Sequence, residues 1–489
     1  MKNDLYNHLK TFGQEHLLTF WDALSDSEQN VLAAQIYSID FAQIAELYKR
    51  RNEPVESLTL ASRASDPPAY KFSTVTDQTP CKAPKPITVS EAVAAGSELL
   101  RTGKVAFALV AGGQGTRLGF PHPKGMYPIG PVSDATLFQF HFEKVLAIAR
   151  RYNYRVPYCI MTSPATHTET VDFLKKKNYF GLPADDVFVF CQGTMPAVSM
   201  EDGKVLLESQ GSIALSPDGH GGMLAAITKG SPSVLSQLRQ RGIEYLFYNQ
   251  VDNPLVRIGS PELLGYHRLS GSELTSQVIR KRSASDKVGN IVEVDGRLYV
   301  IEYSDLPESV GMQTNPDGSL KIWAGSIAVH VFNVDLLDRA SRSNASLPFH
   351  YARKKVPFVA VKSEGLHPSG EQIKPVQENA IKFERFIFDL LPSAKNAVVI
   401  EVDPPNHYAP LKNAPGSITD SPETVKRDIS AMHAAWLRQA GAVVQENTPM
   451  EISPLFADSP EAVAEKLTKG QKFECSTYLY CVRSQNAQY

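Results

Sequence analysis

Cysteine is scarce in this 489-residue sequence: Cys81, Cys159, Cys191, Cys475 and Cys481 are its only five, widely spread and odd in number. No C-x-x-C pair occurs, which excludes a zinc knuckle and a dithiol redox motif. Cys159 in "PYCIM" and Cys191 in "FVFCQG" sit in apolar runs and read as small buried hydrophobes. Charge of one sign is missing too. The 50 basic side chains against 52 acidic ones leave a net charge of -2. A nucleic-acid partner requires a clustered basic excess, and an anionic membrane attracts one; neither partner is expected. The opening "MKNDLYNHLKTFGQEH" lacks the apolar core of a signal peptide, and no apolar run approaches the length that spans a bilayer. These absences make a reducing cytoplasm the expected location.

What is present is an ordinary globular composition, 43% apolar and 21% charged, in a chain too long for one core. Two or three domains are expected. Residues 1 to about 64 read as helical; "SDSEQNVLAAQIYSID" opens with a capping box of Ser25 and Glu28. A linker rich in Pro, Ser, Thr and Asp runs from about Ser65 to Pro86, and "TVSEAVAAGSELLRTGK" reads as a helix ending near Gly103. From Val105 the candidate strands "VAFALV", "VPYCIM", "VFVFC" and "YLFYNQVD" are separated by helical stretches, as in a mostly parallel sheet buried on both faces. "NIVEVDGRLYVIEY" reads as a hairpin around Asp295-Gly296, with "IWAGSIAVHVFN" as a further strand near it. The last hundred or so residues hold "AVVIEV", a helix "SPETVKRDISAMHAAWLRQAG" and a terminal strand "ECSTYLYCVR", and read as a small appended α+β domain. The expected division is a helical N-terminal region and linker (1–86), a catalytic domain (87–390) and a small C-terminal domain (391–489). The expected fold class is α/β, with a central Rossmann-like mixed, mostly parallel sheet.

The most specific stretch follows "VAFALV". Ala111 to Gly119, "AGGQGTRLG", places four glycines and Arg117 in nine residues, and "PKGM" with Lys124 follows. A Walker A loop requires G-x-x-x-x-G-K-(S/T), and no lysine follows a glycine inside this turn. The dinucleotide fingerprint G-x-G-x-x-G fails because Leu118 stands where the third glycine belongs. The ribose-binding acid is also missing after the next strand, which excludes a dehydrogenase of that type. Small residues still let backbone N–H groups approach an anion, and Arg117 and Lys124 add cationic donors, so the turn points to phosphate.

The string resembles the signature (L/V)-x-G-G-x-G-T-x-(L/M)-G-x3-P-K of the UDP-sugar pyrophosphorylases, a family of uridylyltransferases. Further segments resemble, in order, those of the UDP-N-acetylhexosamine pyrophosphorylases: "CQGTMPAVS", "SPDGHGGMLAAI", "NQVDNPL", "VIEYSDL", "IKFERFIFDLLP" and "APLKNAPGS". The likeness spans nearly the whole chain and implies a nucleotidyltransferase-type sheet. By resemblance, the backbone of Val110, Ala111, Gly112 and Gly113 holds the uridine and α-phosphate region. Lys124, Lys382 and Lys412 approach phosphates, and Gln192 and Gly219 contact the uracil. Glu302 and Tyr303 contact the sugar. Asp252 is associated with Mg²⁺, which Mn²⁺ could replace. Arg117, Lys124 and Lys412 are the candidate catalytic residues, and UTP and a sugar-1-phosphate are the implied partners of a monomer or homodimer.

The chemistry of the residues agrees with these roles. Phosphoryl-type transfer is mostly positioning and charge stabilisation, and Mg²⁺ takes oxygen ligands. Asp252 ends an apolar strand, where open α/β sheets bind ligands. The expected reaction is in-line attack of a sugar-1-phosphate on the α-phosphorus of UTP, without a nucleophilic side chain. Two departures from the hexosamine pattern bear on the sugar: His220 stands where Asn is usual in G-N-G-G, and Ser326 where Asn is usual in G-N-I. N-acetylglucosamine-1-phosphate is the expected substrate, with glucose-1-phosphate or relaxed specificity as the alternative. A non-catalytic UDP-sugar-binding protein is a second alternative; retention of Lys124, Asp252, Lys382 and Lys412 argues for an enzyme.

Overall fold

A computed structural model describes residues 1–53, 56–76, 81–342, 347–361 and 370–481. Residues 77–80 of the expected linker and 482–483 of the expected terminal strand lie outside the described residues. The chain divides into two compact units, each discontinuous in sequence. Unit one comprises 1–55, 192–225 and 346–389; unit two comprises 56–191, 226–345 and 390–489. These units do not coincide with the three consecutive segments expected from the sequence.

Unit two is built on a ten-stranded sheet. Its strands in chain order are β1 (Ala69–Lys71), β2 (Val105–Val110), β3 (Tyr158–Thr162), β4 (Val187–Cys191) and β5 (Tyr245–Gln250). Then come β6 (Leu274–Arg280), β7 (Asn290–Val294), β8 (Arg297–Ile301), β9 (Ala324–Asn333) and β10 (Ala397–Glu401). The spatial order is β1-β10-β6-β9-β5-β2-β3-β4, with β7 pairing β8 and β9. Pairing along this path is parallel except on the two sides of β9, which runs antiparallel to β5 and β6. The mixed, mostly parallel α/β sheet is therefore present. Its interior strands are apolar runs buried on both faces, as in "VAFALV", where Val105 to Leu109 are all buried. Helices Leu137–Tyr152 and His167–Lys176 make the crossovers from β2 to β3 and from β3 to β4. Strand order reverses between β2 and β5, so their carboxyl ends form the switch point where such sheets bind ligands.

The hairpin of β7 and β8 turns at Asp295 and Gly296, both at positive φ (51° and 76°). Two consecutive positive values are what a two-residue hairpin turn requires. The "AVVIEV" run is β10, inside the large sheet between β1 and β6, rather than part of an appended domain. Its unbroken apolar character fits that interior place. Helix Pro422–Gln439 buries Val425, Ile429, Trp436 and Leu437 in the same core as β2 and β3. Among the described residues, no helix is long and apolar enough to cross a membrane.

Unit one joins helices Lys2–Lys10, Asp26–Ser38 and Phe41–Arg50 to small antiparallel sheets, the largest formed by Val198–Ser199, Phe349–Lys354 and Ala380–Arg385. The expected capping box of Ser25 and Glu28 starts the second of these helices. Leu5, Leu9, Leu32, Ile36 and Ile44 from the helices bury against Val198, Ile213, Ile381 and Phe383 from the strands.

Candidate active site

The glycine turn leaves β2 at the switch point. Val110 O accepts from Val251 N (3.0 Å) and Ala111 N donates to Met161 O (2.7 Å), which ties the turn's root to the strands on both sides. Beyond the root, the carbonyls are bound from behind. Ser163 Oγ donates to Gly112 O (2.7 Å), and Lys124 N donates to Gly113 O (3.0 Å). Ser163 is itself buried, with Thr166 Oγ1 3.1 Å away. A peptide whose carbonyl is held inward presents its N–H outward. The N–H groups of Gly113 and Gln114, which share those two peptides, therefore point away from Ser163 and Lys124 N and are candidate donors to an anion. Arg117, on the short Thr116–Leu118 turn, is exposed.

Asp252 follows β5, next to this turn. Its carbonyl accepts from Leu411 N (2.8 Å), and Leu411 O accepts from Lys124 Nζ (3.2 Å). One residue, Leu411, thus links the aspartate of "VD" to the lysine of "PKGM". Burial lowers the pKa of Lys124; Asp252 opposes that shift, while Lys412 and Arg117 add to it. Lys412 is the next residue along. Burial works against its charge, but Tyr408 and Asp252 outweigh burial and hold its pKa above the usual lysine range. Lys412 Nζ donates to the Tyr408 hydroxyl (3.2 Å), and its backbone N donates to Asp420 O (2.8 Å). Asp420 has its carboxyl pKa raised by burial, with Lys412 opposing and Asp252 adding. In unit two, therefore, Val110 to Gly113, Lys124, Asp252 and Lys412 form one cluster: an amide cradle with two ammonium groups and a carboxylate.

A second group in unit two surrounds the hairpin. Ser326 N donates to Gly289 O (2.8 Å), and Ser326 Oγ accepts from Ala328 N (3.4 Å). A Cβ placed on Gly289 would lie 3.3 Å from Glu302 Oε1, so Glu302 and Ser326 flank the same glycine. Tyr303 follows, exposed. Ala328 holds a left-handed φ of 56° beside a bulge in the β6–β9 ladder, a conformation costly for a residue with a Cβ.

In unit one, Gln192 is buried, and its Nε2 donates to Gly219 O (3.0 Å) and Asp218 Oδ1 (3.3 Å). Asp218 is paired with Arg385, whose backbone N also donates to Asp218 O (2.8 Å). Gly219 (φ 82°), Gly221 and Gly222 complete the turn. A Cβ would meet Arg385 O at 2.4 Å from Gly219 and Asp218 Oδ1 at 2.1 Å from Gly222, so only glycine fits. His220 Nδ1 accepts from Ile387 N (3.2 Å) and its ring stacks on Phe386 at 5.1 Å. Burial, with His350 adding, lowers the His220 pKa to about 4, so the imidazole is neutral at pH 7. Lys382 lies on the strand that ends in Arg385, opposite Ala352.

A family model described as UTP–glucose-1-phosphate uridylyltransferase matches residues 74–419. The chain belongs to this uridylyltransferase family. It is similar to the UDP-N-acetylglucosamine pyrophosphorylase of Saccharomyces cerevisiae, at 32% identity over 95% of this chain and 96% of that protein. It is 33% identical to UDP-N-acetylglucosamine diphosphorylase 2 of Arabidopsis thaliana, over 96% of this chain and 92% of that one. Its fold resembles the crystal structure of the uridine diphosphate N-acetylglucosamine pyrophosphorylase from Trypanosoma brucei in complex with inhibitor, with a TM-score of 0.77 at 24% identity over 95% and 94% of the two chains.

As a uridylyltransferase, the chain is a nucleotidyltransferase enzyme, and the site residues read from its sequence are joined by others that sequence reasoning did not single out. Ser163 and Gly289 carried no signal, because each touches a residue distant in sequence, while Tyr408 and Asp420 touch nearby Lys412 but flank the matched string "APLKNAPGS" on either side. Asp218 and Arg385 lay inside the matched strings "SPDGHGG" and "IKFERF". Alone, Asp218-Gly219 reads as a turn and Arg385 as a solvated charge.

Proposed function

We propose that this uridylyltransferase makes UDP-N-acetylglucosamine and pyrophosphate from UTP and N-acetylglucosamine-1-phosphate. The observation that carries the substrate is the pair of relatives named for UDP-N-acetylglucosamine, each matched over nearly its whole length. The unit-two cluster supports the chemistry. The amides of Gly113 and Gln114 take phosphate oxygens, with Arg117 and Lys124 as cationic donors, and Lys412 stabilises the charge that develops as pyrophosphate leaves. The backbone of Val110 and Ala111 supports the nucleoside end. In unit one, Gln192 and Gly219 read the uracil: with Nε2 committed to Gly219 and Asp218, the Gln192 Oε1 is the acceptor for a ring N–H. Lys382 is a further phosphate contact, and Glu302, Tyr303 and Ser326 contact the sugar.

Among the described residues, no group of three or more His, Cys, Asp or Glu side chains could hold a metal. Asp252, with Asp420 in electrostatic reach of it, fits a cation that arrives with the nucleotide. Mg²⁺, or Mn²⁺ in its place, takes one or two carboxylates and fills its shell with phosphate oxygens and water. Bound in that way it would supply neutralisation of phosphate charge. The chain's own residues hold the two anions, and the sugar-phosphate oxygen attacks the α-phosphorus in line.

The His220 contacts favour a role in shaping the Gly219–Gly222 turn, so the choice of sugar falls to Ser326 together with Glu302 and Tyr303. Initial-velocity kinetics and a trapping experiment test the mechanism. The proposal expects sequential kinetics and no labelled protein after incubation with UTP labelled in its α-phosphate. Ping-pong kinetics or a uridylylated side chain would overturn direct attack.

A further inference from the structure

Lys412, to which the charge stabilisation is assigned, is held by its own loop and by a neighbouring phenol. It sits at the root of a loop from 412 to 420, where Lys412 N and Asn413 N both donate to Asp420 O (2.8 and 2.9 Å). Asn413 Nδ2 closes the same loop on Thr419 O (2.9 Å). Asp420 adopts a left-handed φ of 57°, so the loop is closed at some backbone cost. Among the described residues the Lys412 side chain donates to the Tyr408 hydroxyl at 3.2 Å, and its ammonium also lies 5.7 Å from the centre of the Tyr408 ring.

Tyr408 is fixed in turn. It follows the short Pro404–His407 helix, and its backbone N donates to Pro404 O (2.9 Å). On one side of it, the His407 carbonyl accepts from Asn253 Nδ2 (2.8 Å); on the other, Ala409 N donates to Asn253 Oδ1 (3.1 Å). Asn253 immediately follows Asp252. The segment carrying Tyr408 is thereby attached to the residue next to the proposed metal-site carboxylate. A free lysine ammonium on four rotatable bonds visits many positions. One that hydrogen-bonds a fixed phenol, on a backbone bonded to the Asp252–Asn253 segment, visits few.

We propose that Tyr408 is the positioning residue of Lys412: its hydroxyl holds the ammonium at a fixed distance from Asp252, where the phosphate chain of the nucleotide is handled. The inference rests on the role proposed above for Lys412. In an active site, a donor that needs no rearrangement contributes more to the transition state than one that must be ordered first. The phenol oxygen accepts from Lys412, and its own proton remains for a second acceptor, so the pair stays satisfied with Lys412 charged.

A double-mutant cycle on the full chain tests this. Lys412→Ala first measures whether the lysine matters at all, by kcat of pyrophosphate release. Tyr408→Phe, which keeps the ring and the packing, is then measured alone and in the Lys412→Ala background. The expectation is a drop in kcat of roughly 10-fold for Tyr408→Phe alone, the order of one lost hydrogen bond to a charged group. The KM for UTP should change little, and in the Lys412→Ala background the second substitution should have no further effect. Tyr408→Leu, which also removes the ring, should lose at least as much. If Lys412→Ala is inactive but Tyr408→Phe has wild-type kcat, or lowers kcat by the same factor in both backgrounds, the positioning role is overturned and the lysine's role stands. If Lys412→Ala itself keeps wild-type kcat, the proposed role of Lys412 falls and this inference with it.

Discussion

The residues that matter most here are those whose ordinary reading is dull. A lone lysine in "PLKN" belongs to a solvated loop, and Asp-Asn-Pro usually starts a turn. Only the ordered matches along the chain gave Lys412 and Asp252 a meaning in the sequence. The structure then adds their physical setting: both are half-buried, and each is bonded through Leu411 or its neighbours to the other's segment. Lys124→Ala and Lys412→Ala should each lose about 10²-fold in kcat, the loss typical of one charge-stabilising donor. Steady-state rates near wild type would remove either from the mechanism. Ser163 is a different case. Its hydroxyl holds Gly112 O inward from a place 51 residues away, a contact no local pattern announces. Ser163→Ala should raise the KM for UTP roughly 5-fold through a less ordered amide cradle. An unchanged KM would mean that the turn keeps its shape without that bond.

At the scale of elements, the parallel strands and their crossover helices were legible because continuous apolar runs and 3.6-residue periodicity report burial directly. The Asp295-Gly296 hairpin was legible for the same local reason. The edge strand Ala69–Lys71 was not: three residues inside a polar stretch carry too little pattern, and only pairing with β10 makes them a strand. The place of β10 was also beyond reach, since an apolar run reports that it is buried but not beside which neighbour. Helix packing gave no signal either. Helix Val89–Arg101 and helix Pro261–Ser270 meet at two glycines. A Cβ on Gly96 would lie 1.8 Å from Pro261 O, and one on Gly265 would lie 1.7 Å from Ala92 O. No side-chain rotation relieves a clash with backbone. Gly96→Ala or Gly265→Ala should therefore cost more than the usual overpacking, about 3 kcal/mol or greater, or prevent folding. Urea unfolding measures it, and a midpoint equal to wild type would show that the helices can separate freely.

At the scale of the whole molecule, the chain forms two units with separate cores, and the interleaving of their segments explains why consecutive boundaries along the chain do not coincide with them. Stability should share a pH dependence across them. Burial lowers the pKa of His141 and His433 to about 3, with Lys144 adding in each case, and of His220 and His267 to about 4, against an ordinary 6.5. On acidification the unfolded chain takes up these protons first. The stability these groups contribute is therefore complete above pH 6.5 and is lost as pH falls towards 4. Thermal unfolding should show Tm falling steadily through that window. A Tm unchanged between pH 7 and about 5 would mean that the histidines are not held neutral.

The central claim is the reaction and its sugar. Pyrophosphate release should be measured with UTP and, in turn, N-acetylglucosamine-, N-acetylgalactosamine-, glucose- and galactose-1-phosphate, with CTP and TTP as controls. The account predicts release that depends on Mg²⁺ and UTP, with the highest kcat/KM for N-acetylglucosamine-1-phosphate. Preference for glucose-1-phosphate would contradict the sugar assignment, and no release with any of the four would contradict catalysis itself.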